Sequence, residues 1–270
     1  MLRSFVVLLV ALFTVPALAE DTRLQRMDTG DDSRGWEAVG RLDINGKGFC
    51  TGALIAPDLV LTAAHCLFDK HSGAEIEHQK IKFLAGWRNG RASADRWVKR
   101  AVIHPEYDYG ERLTAKRVRN DVALLQLHHP IRNTTIFPFK TGRRPVKSDR
   151  VGVVSYARDR SEAPSLQEVC LVQARQEGML VMSCDVNFGS SGAPVFSFDS
   201  GEPRIVSVVS AMAAFGERRV SLGTQLEGPL ALLKAELAAG RGVFGSNPAP
   251  RANRITVGKR STAGAKFIKN

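Results

Sequence analysis

Three short segments of the sequence contain a histidine, an aspartate and a serine in settings that could support nucleophilic chemistry. His65 stands in the run LTAAHC (61–66), Asp121 in NDVALL (120–125) and Ser191 in GSSGAP (189–194). A serine hydroxyl becomes a nucleophile when a histidine takes up its proton, and a carboxylate can hold that histidine in the required tautomer. These residue types suffice for acyl transfer if the fold brings them together.

Each segment also has an ordinary interpretation when it is taken alone. A single histidine is more often structural or on the surface than catalytic. Asp121 could be a solvated turn residue before a buried strand, and loops rich in serine and glycine are frequent without being catalytic. The combination favours the catalytic interpretation, because all three segments would have to arise by chance in the right order.

Together, the three segments resemble the histidine, aspartate and serine signatures of the trypsin/chymotrypsin-like serine proteases, which follow one another in the same chain order. The resemblance extends over about residues 36–239 and is sharp only at the three signatures. It implies a serine endopeptidase that hydrolyses peptide bonds in proteins or peptides through an acyl-enzyme, without a cofactor or a metal ion. His65, Asp121 and Ser191 would form its catalytic triad. The N–H groups of Gly189 and Ser191 would form its oxyanion hole.

Two departures from the family pattern bear on how such an enzyme would be activated. Most trypsin-like enzymes carry an aspartate before the nucleophile, where it holds the new N-terminus that zymogen cleavage frees; this chain has Ser190 there. No start resembling Ile-Val-Gly-Gly is visible near Trp36. We therefore predict that activation by an N-terminal salt bridge is absent. These features and the short interval between Asp121 and Ser191 are similar to the bacterial glutamyl-endopeptidase-related branch.

Substrate preference depends on Asp185, six residues before Ser191, where trypsin-like enzymes carry the carboxylate that binds a Lys or Arg side chain. A carboxylate at the base of the pocket would pair with a substrate cation. The alternative is a loop aspartate that accepts hydrogen bonds from nearby backbone N–H groups, and both interpretations stay open here. Met212 stands where the resemblance implies a glycine, and it could narrow the pocket. Ser210 would offer backbone hydrogen bonds to an extended substrate.

The elements that must position these residues are β-strands. Short apolar runs separated by glycine, proline, asparagine and aspartate are typical of all-β sandwiches and barrels. Asn45-Gly46 predicts a hairpin turn, because a type I′ turn requires a positive φ at both residues. A helix is predicted over Leu230–Ala239, between Pro229 and Gly240. The resemblance implies two six-stranded antiparallel β-barrels with the triad at their junction, and a short C-terminal helix. Strands are predicted at 36–44, 48–56, 59–62, 81–87, 97–103, 122–127, 151–156, 166–173, 179–184, 194–198, 204–210 and 219–225.

The N-terminal residues have the features of a signal peptide. Arg3 is followed by an apolar run too short to span a bilayer comfortably, and a pattern of small residues ends at Ala19. We expect cleavage after Ala19 and a secreted or periplasmic protein; the alternative is an uncleaved membrane anchor. Residues 20–35 are predicted as a leader or flexible arm, 36–244 as the trypsin-like protease domain, and 245–270 as a basic, disordered tail.

Export would place the four cysteines in an oxidising compartment, where disulfides persist. Four cysteines allow three pairings. We expect Cys50–Cys66 and Cys170–Cys184, because each pair lies within one local hairpin-like stretch. A zinc site is the alternative, but no Cys-x-x-Cys or Cys/His cluster has the spacing of metal ligands.

The formal net charge of +11 allows a second class of function. A basic surface favours contact with acidic polymers, anionic lipids or acidic substrates, although it also promotes solubility. The basic tail could tether the protein to cell-envelope polyanions or simply be solvated. The alternative to a protease is therefore a catalytically weak binding protein of the same fold. No groove pattern of aromatic and basic residues indicates specific nucleic-acid binding, and we expect a monomer.

Overall fold

A computed structural model describes residues 22–215 and 218–240 of the chain. The predicted signal peptide (1–19) and basic tail (245–270) lie outside the described residues. Within the described residues, no helix is long and apolar enough to cross a membrane.

The structure consists mainly of β-strands. The strands are β1 (Gln25–Arg26), β2 (Val39–Ile44), β3 (Gly48–Ala56), β4 (Leu59–Thr62), β5 (Ile81–Ala85), β6 (Ala94–Ile103), β7 (Ala123–Leu127), β8 (Arg150–Ala157), β9 (Arg160–Gln176), β10 (Met179–Met182), β11 (Pro194–Ser197), β12 (Arg204–Phe215) and β13 (Arg218–Gln225).

The first six strands after β1 form a closed antiparallel barrel, in the order β2-β3-β4-β7-β6-β5. The Asn45-Gly46 turn joins β2 to β3, and its φ values of 55° and 65° confirm the predicted turn chemistry. Residues 50–54 of β3 are all buried, because one face of the strand lines the barrel interior and the other packs against β8 and β11 of the second barrel. This barrel supplies the histidine and aspartate segments.

The second barrel has the order β9-β10-β13-β12-β11-β8, and the pairing of β8 with β9 closes it. The prediction of two six-stranded antiparallel barrels is therefore confirmed. Strand β9 begins six residues earlier than predicted, because a two-residue turn at 158–159 joins Ala157 of β8 directly to Arg160 of β9. This barrel supplies the serine segment, in the loop that precedes β11.

The segment predicted as a leader or flexible arm packs against the second barrel from Thr22 onward. The N–H of Thr22 donates to the carbonyl of Val169 at 2.9 Å. Strand β1 pairs antiparallel with β9, and the Met27 side chain next to it is 2% exposed. The described part of the arm is thus docked on the barrel, since backbone pairing, the Thr22 side chain and the buried Met27 hold it there.

Within residues 22–215 and 218–240, two α-helices flank the barrels, and the sequence predicted one of them. Helix α1 (Ala115–Asn120) begins after Thr114, whose hydroxyl accepts a hydrogen bond from the N–H of Arg117. Helix α2 (Glu227–Ala238) begins three residues before the predicted helix and buries Leu230, Leu233 and Leu237. It packs against β6 and β7, so the last described element returns to the first barrel.

The barrels share a continuous apolar core at their junction. Trp36 and Phe139 both contact the ring of Phe196 from β11, with centroids 5.1 Å and 4.8 Å away. Aromatic side chains of this size bury large apolar areas and fix the relative position of the surfaces that they join. Residues from different barrels can therefore meet in one site with defined geometry.

Candidate active site

His65 is presented by a single turn of 3-10 helix, Ala64–Leu67, that follows directly on β4. Cys66 in the same turn forms a disulfide with Cys50 of β3, which ties the turn back to the barrel. The His65 side chain is 24% exposed. The imidazole is therefore fixed in position while one side of it remains open to solvent.

Asp121 follows α1 directly and is 3% exposed. Its carboxylate accepts hydrogen bonds from Nδ1 of His65 at 2.7 Å and from the His65 N–H at 2.9 Å. A carboxylate is an acceptor only, so Nδ1 is the donor and Nε2 is the nitrogen left to take up a proton. Thr224 of β13 donates to the Asp121 carbonyl at 3.1 Å, which holds this residue from the second barrel.

Ser210 makes a third contact to the Asp121 carboxylate, one that the sequence did not indicate. The pairing of β12 with β13 shifts between Val209 and Ala211, and Ser210 is the extra residue of this β-bulge. Its hydroxyl donates a short hydrogen bond to Oδ2 of Asp121. Ser210 thus helps to satisfy a buried charge, whereas its predicted backbone contact with substrate stays a prediction.

The loop that carries Ser191 depends on two glycines. Gly189 has a φ of 99° and Gly192 a φ of 77°, in the region that favours glycine. A Cβ at Gly189 would lie 2.4 Å from the ring of Phe49, and one at Gly192 would lie 2.1 Å from Oγ1 of Thr62. Both the backbone conformation and the close approach of the first barrel therefore exclude a side chain at either position.

Three polar groups of this loop have no hydrogen-bond partner in the part of the chain that the structure describes. They are the N–H of Gly189, the N–H of Ser191 and the Ser191 hydroxyl. The neighbouring donors are engaged, since the N–H of Ser190 bonds to the Asn187 carbonyl at 2.9 Å and that of Gly192 to the Val209 carbonyl at 2.8 Å. Gly189 and Ser191 are also partly exposed, so these groups can meet a bound molecule.

Thr51 of β3 joins the first barrel to this loop, and sequence reasoning missed it. Its N–H donates to the Ser191 carbonyl at 2.8 Å, and its hydroxyl donates to the Gly189 carbonyl at 2.9 Å. The same hydroxyl accepts a bond from the N–H of Tyr156 at 3.1 Å. Because Thr51 is fully buried, these bonds are shielded from water and hold both residues whose N–H groups are free.

Both predicted disulfides are present, Cys50–Cys66 and Cys170–Cys184. A ring nitrogen of His65 and the sulfurs of Cys50 and Cys66 lie within 4.8 Å of one another, as the ligands of a metal site would. The two sulfurs form a disulfide with each other, whereas a metal ion requires free thiolates as ligands. In the oxidised protein this cluster is therefore a disulfide beside a histidine.

Comparison with known proteins identifies the family. The family model of the trypsin-like peptidase domain matches residues 50–204, more than half of the chain. The chain belongs to this family. A solved structure of Glu endopeptidase in complex with MPD superimposes with a TM-score of 0.65, covering 82% of this chain and 99% of that one at 16% identity. This likeness shows the shared fold.

Curated relatives match parts of the chain. Serine protease 56 of Mus musculus is 34% identical over 99 residues, which are 37% of this chain and 15% of that protein. Trypsin of Phaedon cochleariae is 32% identical over 93 residues, 34% and 33% of the two chains. Glutamyl endopeptidase of Bacillus licheniformis is 24% identical over 173 residues, 57% and 46% of the two chains. The chain spans less than half the length of each of these relatives.

Within this trypsin-like domain, Ser190 has a cationic neighbour. Nη2 of Arg160 approaches the Ser190 hydroxyl at 3.5 Å and the Ser155 hydroxyl at 3.3 Å. Ser190 also bonds to the Ser155 hydroxyl and to the Tyr156 carbonyl, both at 3.2 Å. Burial lowers the pKa of the Arg160 guanidinium, while Asp159 acts to raise it. A cationic side chain therefore lies beneath the serine loop of this family member.

Asp185 is exposed, and its N–H donates to the side-chain oxygen of Gln167 at 2.7 Å. Its carboxylate accepts no hydrogen bond from any described residue, so the backbone-capping alternative has no such bond to support it. The guanidinium of Arg160 and the carboxylate of Asp185 attract each other. Arg160 therefore offsets part of the negative charge of Asp185. Met212 is half-buried and packs against the core of the second barrel.

Proposed function

We propose that this chain is a serine endopeptidase with His65, Asp121 and Ser191 as its catalytic triad. The observation that carries the proposal is the 2.7 Å bond between Nδ1 of His65 and the buried Asp121 carboxylate. It leaves Nε2 as a base. The loop that carries Ser191 packs against the segment just before His65, since a Cβ at Gly192 would lie 2.9 Å from the backbone nitrogen of Ala63. Membership of the trypsin-like peptidase family supports the same assignment.

The proposed reaction forms and then hydrolyses an ester on Ser191. Oγ of Ser191 attacks the scissile carbonyl carbon while His65 takes up the hydroxyl proton. The free N–H groups of Gly189 and Ser191 bind the oxyanion that develops, and each such donor is worth about 2.7–4 kcal/mol in comparable sites. His65 returns the proton to the leaving amine as the C–N bond breaks. It then activates the water that releases the acid product.

Asp121 remains ionised throughout this sequence. Its charge orients the imidazole before the attack and stabilises the imidazolium that forms during it. The hydroxyl of Ser210 and the N–H of His65 both donate to the carboxylate. These contacts supply hydrogen bonds to a carboxylate that is only 3% exposed.

We propose protein or peptide substrates, with Asp185 paired to a Lys or Arg side chain at P1. The exposed carboxylate, with no hydrogen bond from a described residue, supports this assignment. The competing candidate is an acidic P1 residue. It draws support from Arg160 beside the loop and from the relative that is named glutamyl endopeptidase.

We propose that the protein acts outside the cytoplasm, secreted or periplasmic, after cleavage behind Ala19. The two disulfides support this location, because such bonds persist in oxidising compartments. In this proposal residues 36–244 are the protease domain and 245–270 a basic tail. Contact of that tail with envelope polyanions stays a prediction.

The deciding experiment is labelling of the purified mature protein with a fluorophosphonate probe. We expect labelling of the wild type, loss of labelling in Ser191→Ala, and retention in Ser93→Ala, a matched exposed serine of the first barrel. Failure of the folded wild-type protein to react would reject an assembled triad and oxyanion hole. The alternative of a polyanion-binding protein would then take first place.

A further inference from the structure

A cavity of about 210 Å³ lies on the second barrel, between the start of β8 and the turn from β11 to β12. Charged side chains dominate its walls: Arg143, Arg144, Arg150, Arg204, Asp149 and Asp199. Four cationic and two anionic groups give the walls a formal net charge of +2. None of these residues belongs to the proposed triad or to the Ser191 loop.

The four arginines lack acidic partners. Across residues 22–215 and 218–240, none of their guanidinium groups forms an ion pair. The two aspartates of the wall are engaged by neutral donors instead, Asp149 by the N–H of Val146 at 2.7 Å and Asp199 by the Ser197 hydroxyl at 2.9 Å. The two aspartates form no ion pair with these arginines and offset only half of their charge, so a net positive charge faces the cavity.

Arg144 carries a donor without a partner. Its Nε atom is buried and forms no hydrogen bond, as is also true of Nε in Arg41, Arg96 and Arg160 among the described residues. A buried donor without an acceptor is unfavourable, because it has given up its bonds to water without replacing them. Because Arg144 lines the cavity, an acceptor bound there is within reach of its guanidinium group.

The backbone around the cavity fixes where the arginines stand. The N–H of Gly142 donates to the carbonyl of Ile205 at 2.8 Å, so the segment before Arg143 runs alongside β12. A Cβ at Gly142 would lie 2.9 Å from Cβ of Arg204, which shows how closely these two segments pack. Arg150 is fixed in turn as the first residue of β8.

We infer that this cavity binds the phosphate or sulfate group of an acidic ligand. Guanidinium groups donate paired N–H bonds to the oxygens of such groups, a geometry that a lysine ammonium lacks. Two or more arginines facing one cavity allow a tetrahedral anion to be held from several sides. The inference is independent of protease activity, so the two can fail separately.

The test is a titration of the mature protein with inorganic phosphate and with inorganic sulfate at low ionic strength, followed by calorimetry. We expect saturable binding that Arg144→Gln/Arg204→Gln weakens by at least about tenfold, because a charge-assisted pair is lost. The control is Arg91→Gln/Arg132→Gln, which removes the same charge from exposed sites of the first half of the chain. It should change affinity by less than about twofold.

A second arm identifies the source of the anion. Vesicles that contain phosphatidic acid are compared with vesicles of neutral phospholipid; retention by the former that depends on Arg144 and Arg204 assigns a lipid headgroup. Binding of the free anions alone assigns a soluble ligand. Equal weakening by both double variants, or no saturable binding to the wild type in either arm, overturns the inference.

A measurement on the wild type avoids any dependence on how the variants fold. Phenylglyoxal modifies accessible arginines, and mass spectrometry locates the modified residues. Phosphate should protect Arg144 and Arg204 while leaving Arg91 and Arg132 as reactive as before. Equal protection of all four, or protection of none, contradicts a site in this cavity.

Discussion

Replacing Thr51 by valine removes one hydroxyl from a fully buried position and keeps the shape of the side chain. That hydroxyl donates to the Gly189 carbonyl at 2.9 Å and accepts from the N–H of Tyr156 at 3.1 Å. Valine would leave one carbonyl and one N–H unsatisfied in the interior. Each such group costs about 1–3 kcal/mol, so we expect the free energy of unfolding to fall by about 2–6 kcal/mol.

The effect on catalysis follows from what the hydroxyl holds. Without Thr51, the peptide plane that contains the Gly189 carbonyl and the Ser190 N–H can shift. Gly189 itself then loses a contact that fixes its backbone, so its own N–H is held less well towards the developing oxyanion. Removal of such a donor costs about 2.7–4 kcal/mol, and displacing it should cost about half of that. We therefore expect kcat to fall by roughly tenfold, since about 1.4 kcal/mol corresponds to that factor. KM should change less, because the oxyanion forms only in the transition state.

Steady-state kinetics on a peptide substrate, together with urea unfolding, would measure both effects. Thr51→Ser keeps the hydroxyl and should keep kcat within about twofold. Ser221→Ala is the matched control: it removes a buried hydroxyl that bonds to the Met182 carbonyl at 3.3 Å and makes no hydrogen bond to the Ser191 loop. It should lower stability and leave kcat unchanged. If Thr51→Val loses stability but retains the wild-type kcat, Thr51 does not position the oxyanion hole.

Three further predictions concern specificity, activation and pH. Asp185→Ser should lower kcat/KM on substrates with P1 Arg far more than on apolar ones, and equal losses would reject Asp185 as the P1 partner. An N-terminal extension behind Ala19 should leave kcat largely intact, whereas a collapse in kcat would show that a free N-terminus is needed. Burial lowers the pKa of the His104 imidazole, against the opposing effect of Glu106, so the unfolded chain binds this proton more readily than the folded one. Stability should therefore fall as the pH drops below about 6.5, and His104→Gln should flatten that part of a urea-unfolding series measured across the range.

Local patterns made the strands predictable. The runs at 48–56 and 59–62 match β3 and β4, because turn residues bound them on both sides. Helix α1 was missed since its six residues, AKRVRN, include few apolar side chains and no helical periodicity. The docking of the arm was missed for a similar reason: strand β1 consists of Gln25 and Arg26, and backbone bonds alone pair it with β9.

The supports of the candidate site are long-range contacts, which no local pattern encodes. Ser210 reaches Asp121 across 89 residues of sequence, and Thr51 reaches Gly189 across 138. Both are ordinary residues of strands, so nothing in their immediate neighbours marks them. The glycines of the Ser191 loop were predictable, in contrast, because a required backbone conformation limits the choice of residue at each position.

The surroundings of Ser190 bear on how the loop reaches its conformation. Its hydroxyl is fully buried among Arg160, Ser155 and the Tyr156 carbonyl. All of these partners belong to β8 and β9, whose pairing exists as soon as the second barrel folds. The described part of the N-terminal arm, by contrast, pairs with β9 through Gln25–Arg26. Ser190 has both its neutral hydrogen-bond partners and a nearby cation within the second barrel. The loop therefore does not need the positive charge of a new N-terminus that zymogen cleavage would free. This arrangement supports the prediction that activity does not depend on an N-terminal salt bridge.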